Sequence, residues 1–205
     1  MTTIPVCAAC GLWGAGPLCV ACRSTLSPAA DRLTPRGIRA VAAFRHEGAA
    51  RTLVHRLKYQ GIVSVATLLA RPMAAVLPEG TNALIPIPRS SVRRLRYGVD
   101  PALELALAVA LTTGLPVVRS FAPSLWWPSH ARGLLVERGG AVFRTVRSVP
   151  PGSVVVDDVI TTGRTIDAAL RAAALADGVD RIVGALLVTS SAKITTARGR
   201  QTDDL

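Results

Sequence analysis

From Ile38 onward, short apolar runs alternate with longer segments whose apolar residues return every three or four positions, the pattern of strands followed by helices. "IRAVAAF" has strand length and alternating polarity. "GAARTLVHRLKYQG" groups Leu53, Val54 and Leu57 on one helical face and stops at Gly61, as helices do. "VATLLARPMAAVL" predicts a second helix that Pro72 kinks. "NALIPIPRS" reads as a short strand ending in a proline turn, with Ser90 and Ser91 capping a helix that resumes through "PALELALAVALTTG". "LPVVRSF" is a further expected strand. "GSVVVDD" is an uninterrupted apolar strand of the buried parallel kind, "TIDAALRAAALADG" a helix closing on Gly178, and "DRIVGALLVTSS" a last strand.

Strands alternating with helices predict an α/β protein: a parallel sheet flanked by helices on both faces. Three stretches break the rhythm. "RSTLSPAADRLTPRG" reads as a linker. Residues 121–147, with Pro, Gly, Trp126, Trp127 and several arginines, read as a hood over the sheet, and residues 193–205 as a flexible tail. Pro or charge interrupts every apolar run before the roughly 18 residues a membrane span needs. With no basic leader or apolar stretch in "MTTIPVCAACG", a cytoplasmic location is expected.

The chain has 205 residues, half of them apolar, enough for one α/β domain plus a small appendage. Its formal charge of +11 is almost wholly arginine, Lys58 and Lys193 being the only lysines. Such a balance suits anionic partners, phosphate being common to nucleic acids and small phosphorylated ligands. Codon bias also produces an arginine-heavy, alanine-rich composition, so charge alone does not choose between them.

All four cysteines lie within the first 22 residues, as Cys7-x-x-Cys10 and Cys19-x-x-Cys22 around a glycine-bearing loop. A two-residue gap within each pair lets a tight turn aim both sulfurs inward, and two such pairs supply a closed tetrahedral site for structural Zn2+. Two disulfides are the other use of four cysteines. A chain without a secretion signal keeps its thiols reduced, so zinc is the expectation. Four protein ligands leave no open position, so this metal organises a ribbon over residues 1–26 and does no catalysis. Trp13 is expected to pack its ring against that knuckle.

The run "VVVDDVITTGRTI" carries the chemistry. In an open parallel sheet, ligands bind beyond the carboxyl ends of strands, where helix amino termini expose free N–H groups. Thr161, Thr162, Gly163, Arg164 and Thr165 offer hydroxyls, bare backbone and a cation at such a helix start, equipment for cradling phosphate. Asp157 and Asp158 would repel phosphate and suit the vicinal hydroxyls of a ribose, each charge-assisted bond being worth roughly 1.5 to 3 kcal/mol. A magnesium site or a plain helix cap are the other uses of an Asp-Asp pair. No Walker-type loop is present.

The whole run resembles the phosphoribosyl pyrophosphate signature of the type I phosphoribosyltransferases: an apolar strand, two acids, two apolar residues, then Thr-Thr-Gly-x-Thr. Read with the four-cysteine knuckle, "LKYQG" at 57–61 and "IPIPRSSVRRLRYG" at 85–98, the chain resembles the ComF family, associated with DNA uptake in natural competence. The resemblance implies a type I phosphoribosyltransferase domain over 38–192. Asp157 and Asp158 would face the ribose hydroxyls of phosphoribosyl pyrophosphate or a ribose 5-phosphate ligand, and Thr161 to Thr165 its 5-phosphate. Arg89, Lys58, Arg93 and Arg94 would meet the pyrophosphate, with Mg2+ bridging its oxygens. The family's Arg-Gly-Phe-Asn-Gln is here Tyr97-Gly98-Val99-Asp100-Pro101, and its hood segment survives as fragments near His130, Leu134 and Arg138. Where hypoxanthine-guanine phosphoribosyltransferases carry an aspartate, this chain has Thr161, so the acceptor stays open.

Phosphoribosyl transfer to an unidentified acceptor is therefore the expected activity. His46, His55 and His130 have no nucleophile at a recognisable spacing and receive no catalytic role. An alternative from another class is a non-catalytic adaptor that grips single-stranded DNA or a helicase and keeps the nucleotide site as a sensor or relic. A third is magnesium-dependent phosphate hydrolysis by the two aspartates.

Overall fold

The computed structural model describes residues 6–123, 143–176 and 179–191. The predicted closure of the last helix on Gly178, most of the hood with Trp126, Trp127, His130, Leu134 and Arg138, and the tail lie outside the described residues.

A five-stranded sheet forms the centre, in the order β1 (Arg32–Leu33), β2 (Arg39–Arg45), β7 (Ile182–Ser190), β6 (Ser153–Ile160), β3 (Ala83–Pro86). The last four strands run parallel, and β1 adds antiparallel to the edge of β2. The chain is thus α/β with a mixed, mostly parallel sheet. Helices α2 (Gly48–Gln60), α3 (Ser64–Ala74) and α5 (Pro101–Thr113) cover one face, and α6 (Arg164–Ala176) the other. Alternation along the strands divides the core accordingly: Val154, Val156, Leu186 and Val188 join Leu53, Leu57, Leu69 and Leu105, whereas Val155, Ala185 and Leu187 join Ile166, Leu170 and Ala173. No helix among the described residues is long and apolar enough to cross a membrane.

Several expectations shift. The stretch read as a linker contains β1, and Pro28 bridges Phe44 as well, so it closes the sheet edge. "LPVVRSF" forms no strand before Phe121: Val117 makes one parallel bridge to Leu84, and Phe121–Pro123 (β4) pairs instead with Phe143–Thr145 (β5) in a separate two-stranded sheet. The segment after Arg89 is two helices, α4 (Ser91–Tyr97) and α5, parted at Gly98, whose φ of 68° ends the first. Ser90 occupies the N-cap position of α4 without a side-chain capping bond. Pro72 lies inside α3, leaving the Leu68 carbonyl without its helical donor.

The four-cysteine segment is not set apart. Cys7, Ala9, Leu18 and Cys19 are buried in the same apolar cluster as Leu53, Leu57 and Val65. From its short helix α1 (Val20–Ser24), Thr25 turns its hydroxyl to accept the Ala49 N–H at 3.0 Å, capping the first turn of α2.

Candidate functional site

β6 hands the chain to α6 on one face, and β3 hands it to α4 and α5 on the other. The carboxyl ends of these neighbouring strands therefore bound a crevice, the place where open α/β sheets hold ligands. Both acids lie within β6, which continues through them to Ile160 instead of stopping at them. Being consecutive strand residues, they have different surroundings. Asp158 is buried and receives the Lys58 ammonium at 2.7 Å. Asp157 is partly buried, accepts the Asp158 N–H at 2.8 Å, and lines an open hollow with Val159, Ile160 and the residues from Thr161 to Ile166.

Electrostatics separate them further. Burial and the neighbouring Asp158 charge push the Asp157 carboxyl well above the usual carboxylate range, with Lys58 only partly opposing the shift. Burial pulls the Lys58 ammonium down, but the charge and hydrogen bond of Asp158, helped by Asp157, turn the net shift upward. Lys58 is therefore a permanent cation locked to Asp158, and Asp157 is the acid whose charge awaits a partner.

The loop Thr161-Thr162-Gly163 turns the chain into α6. Thr161, Thr162, Arg164 and Thr165 are exposed and Gly163 is buried. Asp167 N–H bonds the Gly163 carbonyl at 2.9 Å, while the N–H groups of Arg164, Thr165 and Ile166 have no partner among the described residues. Gly163 has φ 75°, and a Cβ there would lie 3.1 Å from Pro35 Cδ and 3.4 Å from Thr34 Cβ. Glycine is needed both for its conformation and for this close approach. The arrangement offers free amides and the positive end of a helix dipole beside an acid, a surface able to bind a sugar phosphate.

Arg89, the residue expected at pyrophosphate, donates from Nη1 to the Lys58 carbonyl at 2.7 Å and the Val99 carbonyl at 3.4 Å, and its guanidinium lies 4.6 Å from the Tyr97 ring centroid. Its own N–H donates to Asp100 Oδ2 at 3.3 Å. It thus ties the turn after β3 to the end of α2, where Lys58 is. Arg93 and Arg94 are exposed on α4, and the Arg94 charge reaches Asp100. Burial nevertheless raises the Asp100 pKa, and its Oδ1 is buried without a hydrogen-bond partner.

Two site neighbours have no site role in the sequence reading, which gives His46 no catalytic part and leaves Arg32 in a linker. His46, just past β2, places Nδ1 2.8 Å from the buried Thr189 hydroxyl, and burial with the Lys58 and Arg51 charges lowers its pKa against the opposing charge of Asp158. Arg32, in the supposed linker, donates from Nη1 to the Thr161 carbonyl at 3.1 Å and the Ser191 carbonyl at 2.7 Å. Sequence offered a turn signal at Thr34-Pro35-Arg36-Gly37 beside Arg32, but nothing that named its distant main-chain targets.

At the other end of the chain, the Sγ atoms of Cys7, Cys10, Cys19 and Cys22 all lie within 4.8 Å of one another. Those of Cys10 and Cys19 are 3.7 Å apart, close to the edge of about 3.8 Å expected for a tetrahedron with zinc–sulfur bonds of about 2.3 Å. The donor set fits a metal ion such as zinc. Burial raises the Cys7 thiol but main-chain N–H groups more than reverse it, to about 6, whereas the hydrogen bond with Cys19 helps push Cys22 up to about 12. Trp13 is 73% exposed, not packed against the knuckle, and Leu12 and Val20 are exposed with it.

No family model matches the chain, and no curated protein matches it.

Proposed function

We propose that this chain is a phosphoribosyltransferase-like protein, of the ComF kind that its motifs resemble, which binds phosphoribosyl pyrophosphate or a ribose 5-phosphate ligand with Mg2+. The observation that carries the reading is the split site at the end of β6: Asp157, an acid without an ion-pair partner among the described residues, beside a loop of unpartnered amides opening α6. Acids suit the ribose 2- and 3-hydroxyls, and amides at a helix start suit the 5-phosphate. Lys58, Arg89 and the exposed Arg93 and Arg94 are the cations this reading assigns to a pyrophosphate.

The residues fit Mg2+ in a limited way. Asp158 is engaged by Lys58, so Asp157 is the carboxylate left to reach a metal, and Mg2+ would be held mostly by ligand oxygens and water. When bound, that ion supplies charge neutralisation for departing pyrophosphate. In the transfer, the bond from ribose C1 to the pyrophosphate oxygen breaks, pyrophosphate leaves with that electron pair, and an acceptor lone pair forms the new bond to C1. Zn2+ would hold the ribbon through its four thiolates. A link to DNA uptake rests on the resemblance to ComF.

Calorimetric titration with phosphoribosyl pyrophosphate and Mg2+ tests the reading. Saturable heat in the intact protein, lost when Asp157→Asn and Asp158→Asn are combined, is the expected result. Absence of heat from the folded wild type removes the claim.

A second reading, a non-catalytic adaptor for single-stranded DNA or a helicase, is favoured by the exposed Leu12, Trp13 and Val20 on the ribbon and by α4, which buries no residue and carries Arg93, Arg94 and Arg96. Single-stranded DNA titrated across salt concentrations separates the two, because several phosphate contacts demand a steep fall in affinity with salt.

A further inference from the structure

The two hydrogen bonds of Arg32 join segments far apart in the chain. Nη1 donates at 3.1 Å to the carbonyl of Thr161, the first residue of the loop, and at 2.7 Å to the carbonyl of Ser191, just past β7. Ser191 in turn donates its N–H to the Ile160 carbonyl at 2.9 Å, so Arg32 spans the point where β6 and β7 release the chain. The segment that follows Arg32 packs on the same loop. Thr34 and Pro35 stand 3.4 Å and 3.1 Å from the place a Gly163 Cβ would occupy. A tight turn fixes that segment: Gly37 N–H bonds the Thr34 carbonyl at 2.8 Å, and Thr34 N–H bonds the Ile38 carbonyl at 2.9 Å.

We infer that Arg32 is a positioning residue for the phosphate loop: it clamps Thr161, with Thr34 and Pro35 as the backing wall, so that the amides of 164–166 converge before ligand arrives. The inference rests on the proposed reading of that loop as the 5-phosphate site. The physical argument is one of preorganisation. A loop with free N–H groups gains nothing from order in the absence of an anion, so something outside it must supply that order. Carbonyl oxygens bonded to a guanidinium do so with charge-assisted bonds. The remaining Arg32 donors have no partner among the described residues. Both bonds leave one nitrogen, Nη1, so an ammonium can reach the same carbonyls but, as a point charge on a flexible stem, holds them in a less fixed geometry.

The test uses the full zinc-loaded chain, with Arg32→Gln and Arg32→Lys beside the wild type. Hydrogen exchange in the ligand-free proteins reads the Asp167 and Ser191 amides, which close on Gly163 and Ile160. Calorimetry reads ribose 5-phosphate and inorganic pyrophosphate separately. With charge-assisted bonds as the warrant, R32Q should speed both exchange rates and weaken ribose 5-phosphate by about tenfold or more. R32K should fall between, while pyrophosphate affinity and the protection of Val154 to Val156 stay unchanged. A residue that merely pins the sheet edge would lower stability without splitting the two affinities. Wild-type exchange and affinity in R32Q overturn the inference. If the wild type binds no ribose 5-phosphate, the site reading fails, and the exchange rates still decide whether Arg32 orders the loop.

Discussion

Asp157 and Asp158 are adjacent and chemically identical, yet the strand turns one toward Lys58 and the other toward the open hollow. Replacing Asp158 with Asn would leave a largely buried ammonium facing a neutral amide. Because Lys58 keeps some exposure, the loss should be about 2 kcal/mol, below the ~3–5 of a fully buried pair, and visible as a lowered urea midpoint. Asp157 behaves oppositely. Its folded pKa is raised, so its contribution to stability is complete below the unfolded value near 3.8 and is lost as pH rises through the folded value. Only the ionised carboxylate accepts from ribose hydroxyls or a cation. Affinity for Mg2+–phosphoribosyl pyrophosphate should therefore climb as pH rises through that range, and binding should release a proton, read as a buffer-dependent heat. In Asp157→Asn both the climb and the release should vanish. The residue types of this pair were plain in the sequence, but their division of labour was not, because the partner of Asp158 is 100 positions away.

Among the elements, those with long apolar signals were the legible ones. β6, β7 and helices α2, α5 and α6 fall where apolar runs and periodicity place them. β1 has two residues, too few for any period, and takes its order from the neighbouring edge of β2. The stretch before Phe121 has strand-like composition, but beside β3 it makes a single bridge. The candidate loop shows the same limit: its Thr, Gly and Arg were evident, whereas the wall of Thr34 and Pro35 was not. That wall makes Gly163→Ala informative. Positive φ alone costs an alanine about 1–2 kcal/mol, and the methyl group would also press on Pro35. The variant should lose ribose 5-phosphate affinity more than stability; equal affinity would show that the loop tolerates the shift. Thr25 provides a comparable test at the start of α2, since Thr25→Val removes the cap on Ala49 and should cost about 1 kcal/mol in denaturant unfolding.

At the scale of the molecule, the cysteine segment and the sheet share one apolar cluster, and α2 connects them. It begins at the Thr25 cap beside the ribbon and ends at Lys58 on Asp158. Closed zinc sites contribute apparent binding free energies of about 10–16 kcal/mol in small peptides, comparable with the total stability of about 5–15 kcal/mol of an ordinary domain. A ribbon that folded by itself would leave the α/β unit indifferent to chelation. Here Cys7, Ala9, Leu18 and Cys19 belong to the same buried cluster as Leu53, Leu57 and Val65, so loosening the ribbon exposes the α2 side of the core and removes the Thr25 cap from the helix that carries Lys58 at its other end. Chelating the metal from the full chain should therefore lower the melting temperature of the whole molecule in one cooperative transition. Phosphoribosyl pyrophosphate affinity should fall with it at temperatures where the sheet is still folded. Two separate transitions, the upper one unmoved by chelator, would show instead that the shared cluster does not couple the cysteine site to the crevice.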